Sequence, residues 1–149
     1  MKQVIVFLNN NQSFALDISR TERIIEFQKP KKIPQSSPYL SGVIQYNDKI
    51  LPIINLTKRF YDIESAPSED VKIIVVLWKN AHIGILVDQV VGIKSISDDE
   101  FEESAGNEMN ISKEYVLGFI KTKEDITILL DPDAIFNMHE EKELLILQD

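Results

Sequence analysis

The chain has no cysteine among its 149 residues. That excludes a disulfide framework, a thiolate metal site and a cysteine nucleophile. Histidine is nearly absent as well, with only His82 and His139. No Gly-rich phosphate loop, Gly-x-Ser-x-Gly elbow or His-Glu-x-x-His pair occurs. Long hydrophobic runs are missing: nothing approaches the roughly 18 apolar residues of a membrane-spanning helix. The opening run Val4-Ile5-Val6-Phe7-Leu8 stops at Asn9-Asn10-Asn11, too short for a secretory signal core. A cytoplasmic location without membrane insertion is expected. Positive charge is scarce, with 16 Lys and Arg against 24 Asp and Glu, a net charge of −8 and a pI near 4.8. Nucleic-acid binding needs clustered cations to neutralise phosphates, so it is not expected. The densest basic stretch, Lys29-Pro30-Lys31-Lys32, reads as a solvated loop.

What is present is ordinary globular material, 44% hydrophobic and 27% charged. A single domain of this length buries about 68–70% of its unfolded surface and needs no staple. The chain also repeats itself. A shift of 69 residues aligns Ile5 to Ile25 with Ile74 to Lys94 without a gap, with Ile5/Ile74, Val6/Val75, Leu8/Leu77, Asn11/Asn80 and Ile24/Ile93 identical. A shift of 76 aligns Tyr39 to Phe60 with Tyr115 to Phe136, keeping Tyr39/Tyr115, Gly42/Gly118, Ile44/Ile120, Ile50/Ile126 and Phe60/Phe136. The difference of seven residues places the extra length between Ser97 and Glu114. Two gapless blocks in the same order point to a duplicated architecture.

Each half reads as short strands. Val4 to Leu8 and Ile73 to Leu77 are continuous apolar runs of the length of buried strands. Asn9-Asn10-Asn11, Asn47-Asp48 and Lys79-Asn80 are turn signals, Asn47-Asp48 closing a hairpin and Lys123-Glu124 holding its place in the second half. Pro52 cannot donate to a sheet ladder, which predicts an edge strand or a kink there. Asn55 and Asp131 read as helix N-caps, and Pro132 suits a first turn. The expected architecture is mainly β: two five-stranded barrels around a shared apolar core, the first mainly 13–60 and the second mainly 72–136, with an N-terminal strand at 3–8 and a C-terminal helix at about 132–145. The acidic, Ser- and Pro-bearing segment 62–70 is the expected linker, and the acidic loop 97–112 the expected mobile segment.

Little of the polar chemistry supports catalysis. His82 falls in a turn between strands, and His139 lacks a nucleophile beside it. Asp131 and Asp133, with His139 and Glu140, could be drawn as carboxylate metal ligands. Capping uses Asp131 fully, however, and leaves Asp133 favourable at a helix start. A small carboxylate-based metal-dependent enzyme is therefore the minor alternative; no enzyme activity, cofactor or metal is expected. What remains is apolar surface and strand edges, the material of a binding module.

Residues Tyr39 to Leu56, read as Tyr-Leu-Ser-Gly-Val-Ile-Gln-Tyr-Asn-Asp-Lys-Ile-Leu-Pro-Ile-Ile-Asn-Leu, carry a more specific signal. They resemble the signature of the CheW-like domain family, roughly aromatic-Ile-x-Gly-Val-Ile-Asn-Leu-Arg-Gly-x-Ile-Ile-Pro-Val-Ile-Asp-Leu. Ile83-Gly84-Ile85-Leu86-Val87-Asp88-x-Val90 is similar to a second family motif, and Phe14-Ala15-Leu16-Asp17-Ile18 to a third. The resemblance covers about residues 3 to 136 and implies two five-stranded barrels. It also implies a chemotaxis adaptor that binds the regulatory domain of the histidine kinase CheA and the cytoplasmic tips of chemoreceptors; use of the same fold in another kinase pathway is the alternative. The chain is too short for an added kinase core or receiver domain, which favours a free-standing adaptor. The implied partner-binding residues are Thr21, Arg23, Tyr46, Asn47, Asp48, Val87, Val90 and Ile93. Two positions depart from the pattern. Asn47 stands where the family has arginine, and Arg23 stands where it often has glutamate. The alternation of a strand end predicts Ile24 inward and Arg23 outward.

Overall fold

The computed structural model describes residues 2–64, 69–103, 113–123 and 125–147. Eleven strands and two α-helices follow one another among these residues. They are β1 (Lys2–Asn9), β2 (Gln12–Asp17), β3 (Thr21–Glu26), β4 (Leu40–Tyr46), β5 (Lys49–Asn55), α1 (Leu56–Tyr61), β6 (Lys72–Trp78), β7 (Ala81–Val87), β8 (Gln89–Ile96), β9 (Phe101–Glu102), β10 (Val116–Lys121), β11 (Ile126–Leu130) and α2 (Met138–Ile146). Asn10 and Asn11, Asn47 and Asp48, and Lys79 and Asn80 all have positive φ. These are the pairs that tight two-residue hairpins demand, and Asn and Asp accept that conformation at low cost.

The strands form two mixed sheets rather than two sheets of five. One has six strands in the order β8-β1-β2-β11-β10-β9, the other five in the order β3-β6-β7-β5-β4. Applying the two sequence shifts converts the second order into the first five strands of the other. The sixth strand, β9, lies in the extra length that the second half carries.

The pairing registers repeat as well. Ile53 lies opposite Gly84, and Leu129 opposite Ala15, in the two parallel ladders. Val75 lies opposite Arg23 and Val6 opposite Gly92, and both ladders skip one residue next to that pair. Register also slips beside Gly42 in one half and beside Gly118 in the other. The Asn55 amide donates to the Tyr39 carbonyl at 2.8 Å, as that of Asp131 does to Tyr115 at 2.9 Å. The division between sheets does not follow the division between halves. The hairpin β1–β2 completes the sheet of the second half, and β6–β7 completes that of the first.

This exchange explains the continuous apolar runs. Ile5 and Phe7 of β1, and Ile74 and Val76 of β6, enter the large core shared by the sheets. Their neighbours Val4 and Val6 face a smaller core with Ala15, Ile96, Ile120 and Leu129. Ile73 and Val75 do the same with Ile44, Leu51 and Ile53. A strand buried on both faces shows no polar alternation.

Three local expectations are corrected. Pro52 lies in β5, an interior strand between β7 and β4. It is tolerated because the parallel ladder with β7 begins only at Ile53. The C-terminal segment is not one helix from 132. A 3-10 turn at Pro132–Ala134 follows the Asp131 cap, and the chain then extends at Asn137 before α2 starts. Asn137 and Glu140 cap α2 reciprocally, each backbone amide donating to the other's side chain at 2.8 Å. Ile24 is 41% exposed rather than inward, and β3, which carries it, is the edge of its sheet among the described residues. Glu124 of the second-half turn, residues 65–68 of the linker and 104–112 of the acidic loop lie outside the described residues. The described beginning of that loop forms a 3-10 turn at Asp98–Glu100 and then β9.

The two repeat glycines make different demands. Gly42 has φ +141°, and a Cβ there would overlap the Lys31 carbonyl, which is fixed by reciprocal backbone bonds with Val43. At Gly118 the nearest obstacle is the Phe101 ring, with the Glu102 carbonyl behind it at 2.7 Å. Gly42→Ala is therefore expected to cost about 2 kcal/mol or more. Gly118→Ala should cost less, because Gly118 lies outside the positive-φ region, although both the Phe101 ring and the Glu102 carbonyl must shift. Urea unfolding of both variants checks the order, and equal losses would contradict it.

Candidate protein-binding surface

The candidate residues fall on two edges. On the first, a one-residue bulge between Thr21 and Arg23 leaves Glu22 without a ladder partner. The bulge turns Glu22 into solvent beside the β4–β5 hairpin. Tyr46 donates its hydroxyl to Glu22 Oε2 at 2.6 Å, and His82 Nε2 lies 3.1 Å from Glu22 Oε1. These bonds join β3 and β4, the two ends of the five-stranded sheet, through side chains. Thr21 is occupied locally, its hydroxyl donating to the Ile18 carbonyl at 2.9 Å. Arg23 is exposed and makes no ion pair among the described residues. Asn47 and Asp48 form the exposed hairpin tip. Asn47 at positive φ suits this turn better than the arginine of the family pattern would.

The electrostatics follow from that contact. The Tyr46 hydroxyl holds the Glu22 carboxyl below the usual carboxylate range, and the neighbouring His82 and Arg23 act in the same direction. Burial, followed by the bond to Glu22, pushes the Tyr46 phenol up. The acid beside Arg23 is therefore held as a carboxylate with one partner on each oxygen, and Arg23 beside it is exposed.

The second edge is β8. Ile93 is 59% exposed and Val91 is 47% exposed at the bulge equivalent to Glu22. Val90 packs partly against the shared core, and Val87 is fully buried in it. Val87 presents no surface to a partner. The structure thus brings Thr21, Arg23, Tyr46, Asn47 and Asp48 together, while Val90 and Ile93 lie on a separate edge. Sequence reasoning did not assign Glu22 to this surface, and it placed His82 in a turn, whereas His82 lies in β7. They meet Tyr46 across 24 residues of chain or more, and no local spacing signals that contact.

The carboxylates once considered for a metal are otherwise committed. Asp133 accepts two bonds from Arg20, at 2.7 and 3.0 Å, and the guanidinium holds its carboxyl below the usual range. Asp131 accepts the Asp133 amide at 3.0 Å. Glu140 accepts from Arg59 and from the Asn137 amide. Among the described residues no group of three His, Cys, Asp or Glu side chains is arranged to hold a metal ion.

Comparisons with known proteins agree on one family. The model of the CheW-like domain matches residues 3–140. The chain is 24% identical to chemotaxis protein CheW of Bacillus subtilis over 139 residues, covering 91% of this chain and 87% of that protein. It is 29% identical to chemotaxis protein CheW of Thermotoga maritima over 136 residues, covering 89% and 86%. The crystal structure of the scaffolding protein TtCheW from Thermoanaerobacter tengcongensis superposes with a TM-score of 0.85 at 27% identity, covering 93% of this chain and 90% of that one.

The Tyr46–Glu22 contact makes a pH-dependent prediction. Because the carboxyl is held low in the folded protein, its stabilisation is present above the ordinary carboxylate range. It is lost as pH falls through the lowered value. In Tyr46→Phe, Glu22 should titrate at higher pH, followed by carboxyl-carbon NMR. Stability at neutral pH should fall by no more than about 1 kcal/mol, since the pair is open to solvent. An unchanged Glu22 titration would show that the bond does not form.

Proposed function

The chain belongs to the CheW-like domain family, and from that premise we propose that it is a non-enzymatic scaffolding adaptor of chemotaxis, coupling chemoreceptors to the histidine kinase CheA. The observation that carries this reading is a family match spanning nearly the whole chain, joined to a fold that superposes on a CheW scaffold over 93% of its length. The chemistry is consistent with it: the polar groups are committed to capping, ion pairs and the joining of sheet edges. The partners we assign are the CheA regulatory domain and the cytoplasmic tips of receptors. Among the described residues no helix is long and apolar enough to cross a membrane, and we place the protein in the cytoplasm beside its receptors.

Family membership also supports a finer reading of the fold, in which one domain holds two five-stranded barrels with β9 as an addition. The separate apolar core within each sheet favours that curvature, as does the Tyr46–Glu22 bond between β3 and β4. Within this frame, the edge that carries Arg23, Tyr46, Asn47 and Asp48 is the proposed kinase- or receptor-facing surface. Ile93 and the exposed part of β8 are a second such edge.

Arg23 is the residue on which the test turns. It is an outward cation on an edge strand, so Arg23→Ala should change folding stability by no more than about 0.5 kcal/mol. Arginine often dominates an interface, and truncation there should cost about 2 kcal/mol of binding or more. Its guanidinium fork suits a partner carboxylate, so Arg23→Glu should be worse than Arg23→Ala. Calorimetric titration of both variants against the CheA regulatory domain and a receptor-tip fragment, with melting temperatures alongside, decides the matter. Unchanged affinity for both partners with folding intact would remove this edge from the interface.

A further inference from the structure

The two halves differ where they should match. At the open end of the five-stranded sheet, Tyr46, Glu22, His82 and Leu51 surround a small cavity of about 100 Å³. The sequence shifts convert these residues into Thr122, Val91, Ser13 and Thr127. In the six-stranded sheet the same place therefore lacks the tyrosine, the carboxylate, the imidazole and the leucine. What they leave is a cavity of about 140 Å³. Val4, Val6, Val91, Ile96 and Ile120 form the apolar part of its wall, and Ser95 and Thr122 add polar side chains to the lining.

The cavity also has a polar end. The hydroxyls of Ser13 and Thr127 lie 2.8 Å apart, and both residues are more than nine-tenths buried. One hydroxyl donates to the other, which uses one of the two hydrogens. Neither hydroxyl makes a further hydrogen bond among the described residues, which leaves the second hydrogen available to an acceptor in the cavity. A ligand oxygen would satisfy it. The mouth carries Glu100 and Asp125 against Lys94, so it offers no excess positive charge to hold an anion. In size the cavity is close to a dry one of about 150 Å³ that takes up benzene.

We propose that this cavity in the six-stranded sheet is a binding site for a small neutral molecule of about phenol's size, with an apolar body and one oxygen acceptor. The body lies among the valines and isoleucines, and the oxygen meets the spare hydroxyl hydrogen of the Ser13–Thr127 pair. The site lies apart from the Arg23 edge but adjoins the β8 edge, since Val91, Lys94, Ser95 and Ile96 of β8 line it.

Methyl-labelled full-length protein titrated separately with phenol and with toluene tests this. The expected result is saturable shifts of the Val4, Val6, Val91, Ile96 and Ile120 methyls with both probes. Thr127→Leu restores the residue type found at Leu51 in the other half and should abolish both responses by filling the space. Should that variant fail to fold, Ser13→Ala/Thr127→Val keeps the proposal testable. It removes both polar partners together, which costs little stability. Phenol affinity should then drop about fivefold or more, while toluene affinity is retained. Absence of saturable shifts in the native protein would overturn the site. So would responses that persist in a folded Thr127→Leu variant. A phenol affinity unchanged in the double variant would overturn the role of the hydroxyl pair.

Discussion

Neither half of this chain can complete a sheet alone, and that constraint governs the rest of the structure. Among the described residues, the parallel ladders β5–β7 and β11–β2 are the pairings that insert one half's hairpin beside the other half's β4–β5 or β10–β11 hairpin. Each exchanged hairpin is then paired on its far side as well, β1 with β8 and β6 with β3. Removing either hairpin would expose Ile5 and Phe7, or Ile74 and Val76, together with the partners they cover in the shared core. Fully burying a side chain of this kind contributes about 1.5–3 kcal/mol, which is large against a total stability of about 5–15 kcal/mol. Two halves joined in this way must unfold together. The acidic segment between them joins two pieces of one cooperative unit.

At the seam the repeat aromatics are exchanged in the same manner. Tyr39 meets Phe136 at a tilt with centroids 5.3 Å apart, and Phe60 stacks on Tyr115 at 5.2 Å, each ring meeting one from the opposite half. Arg59 lies between them, 5.5 Å from the centre of Tyr39 and 5.2 Å from that of Tyr115. Its guanidinium donates to the Ile135 carbonyl and to Glu140, which also caps α2. Position 135 is the repeat equivalent of position 59, so the arginine is an asymmetric element on a nearly symmetric seam. It satisfies a carbonyl in the break before α2 and fixes that helix against both halves. A partly desolvated cation over two rings is stronger than an exposed one.

How much of this could be read from the sequence depended on whether the determinant was local. Turn pairs such as Asn10-Asn11 and Asn47-Asp48 need positive φ, and their residue types declare it. The caps at Asn55 and Asp131 were equally legible, because each acts on an amide two or three residues away. The duplication showed itself through apolar positions and glycines that both halves must keep. The exchange of hairpins did not, since the same apolar run satisfies either sheet. Pro52 misled for a related reason: which neighbour begins its ladder where is a tertiary fact. Ile24 kept the apolar character of a core position while lying exposed on an edge strand. Glu22 and His82 gave no local signal as members of this surface, since the contacts that join them with Tyr46 bridge 24 residues of chain or more.

The asymmetries between the halves bear most directly on function. Duplication alone would give two equivalent edges, β3 and β8, and two equivalent cavities. Instead one edge carries Glu22 and Arg23, where the other carries Val91 and Gly92. Glu22 is held by Tyr46 and His82 and Glu26 by Lys72, so Arg23 is the charge on that strand without an ion pair among the described residues. The β8 edge offers Val91 and Ile93 instead, an apolar surface. A scaffold that holds two different partners at once needs two surfaces with different chemistry on one rigid body. A doubled fold whose core positions are kept and whose edges have diverged meets that need. Core positions resist change because methylene-sized errors are felt throughout a close-packed interior. Edge residues are free of that restriction, and there the two copies have become unlike.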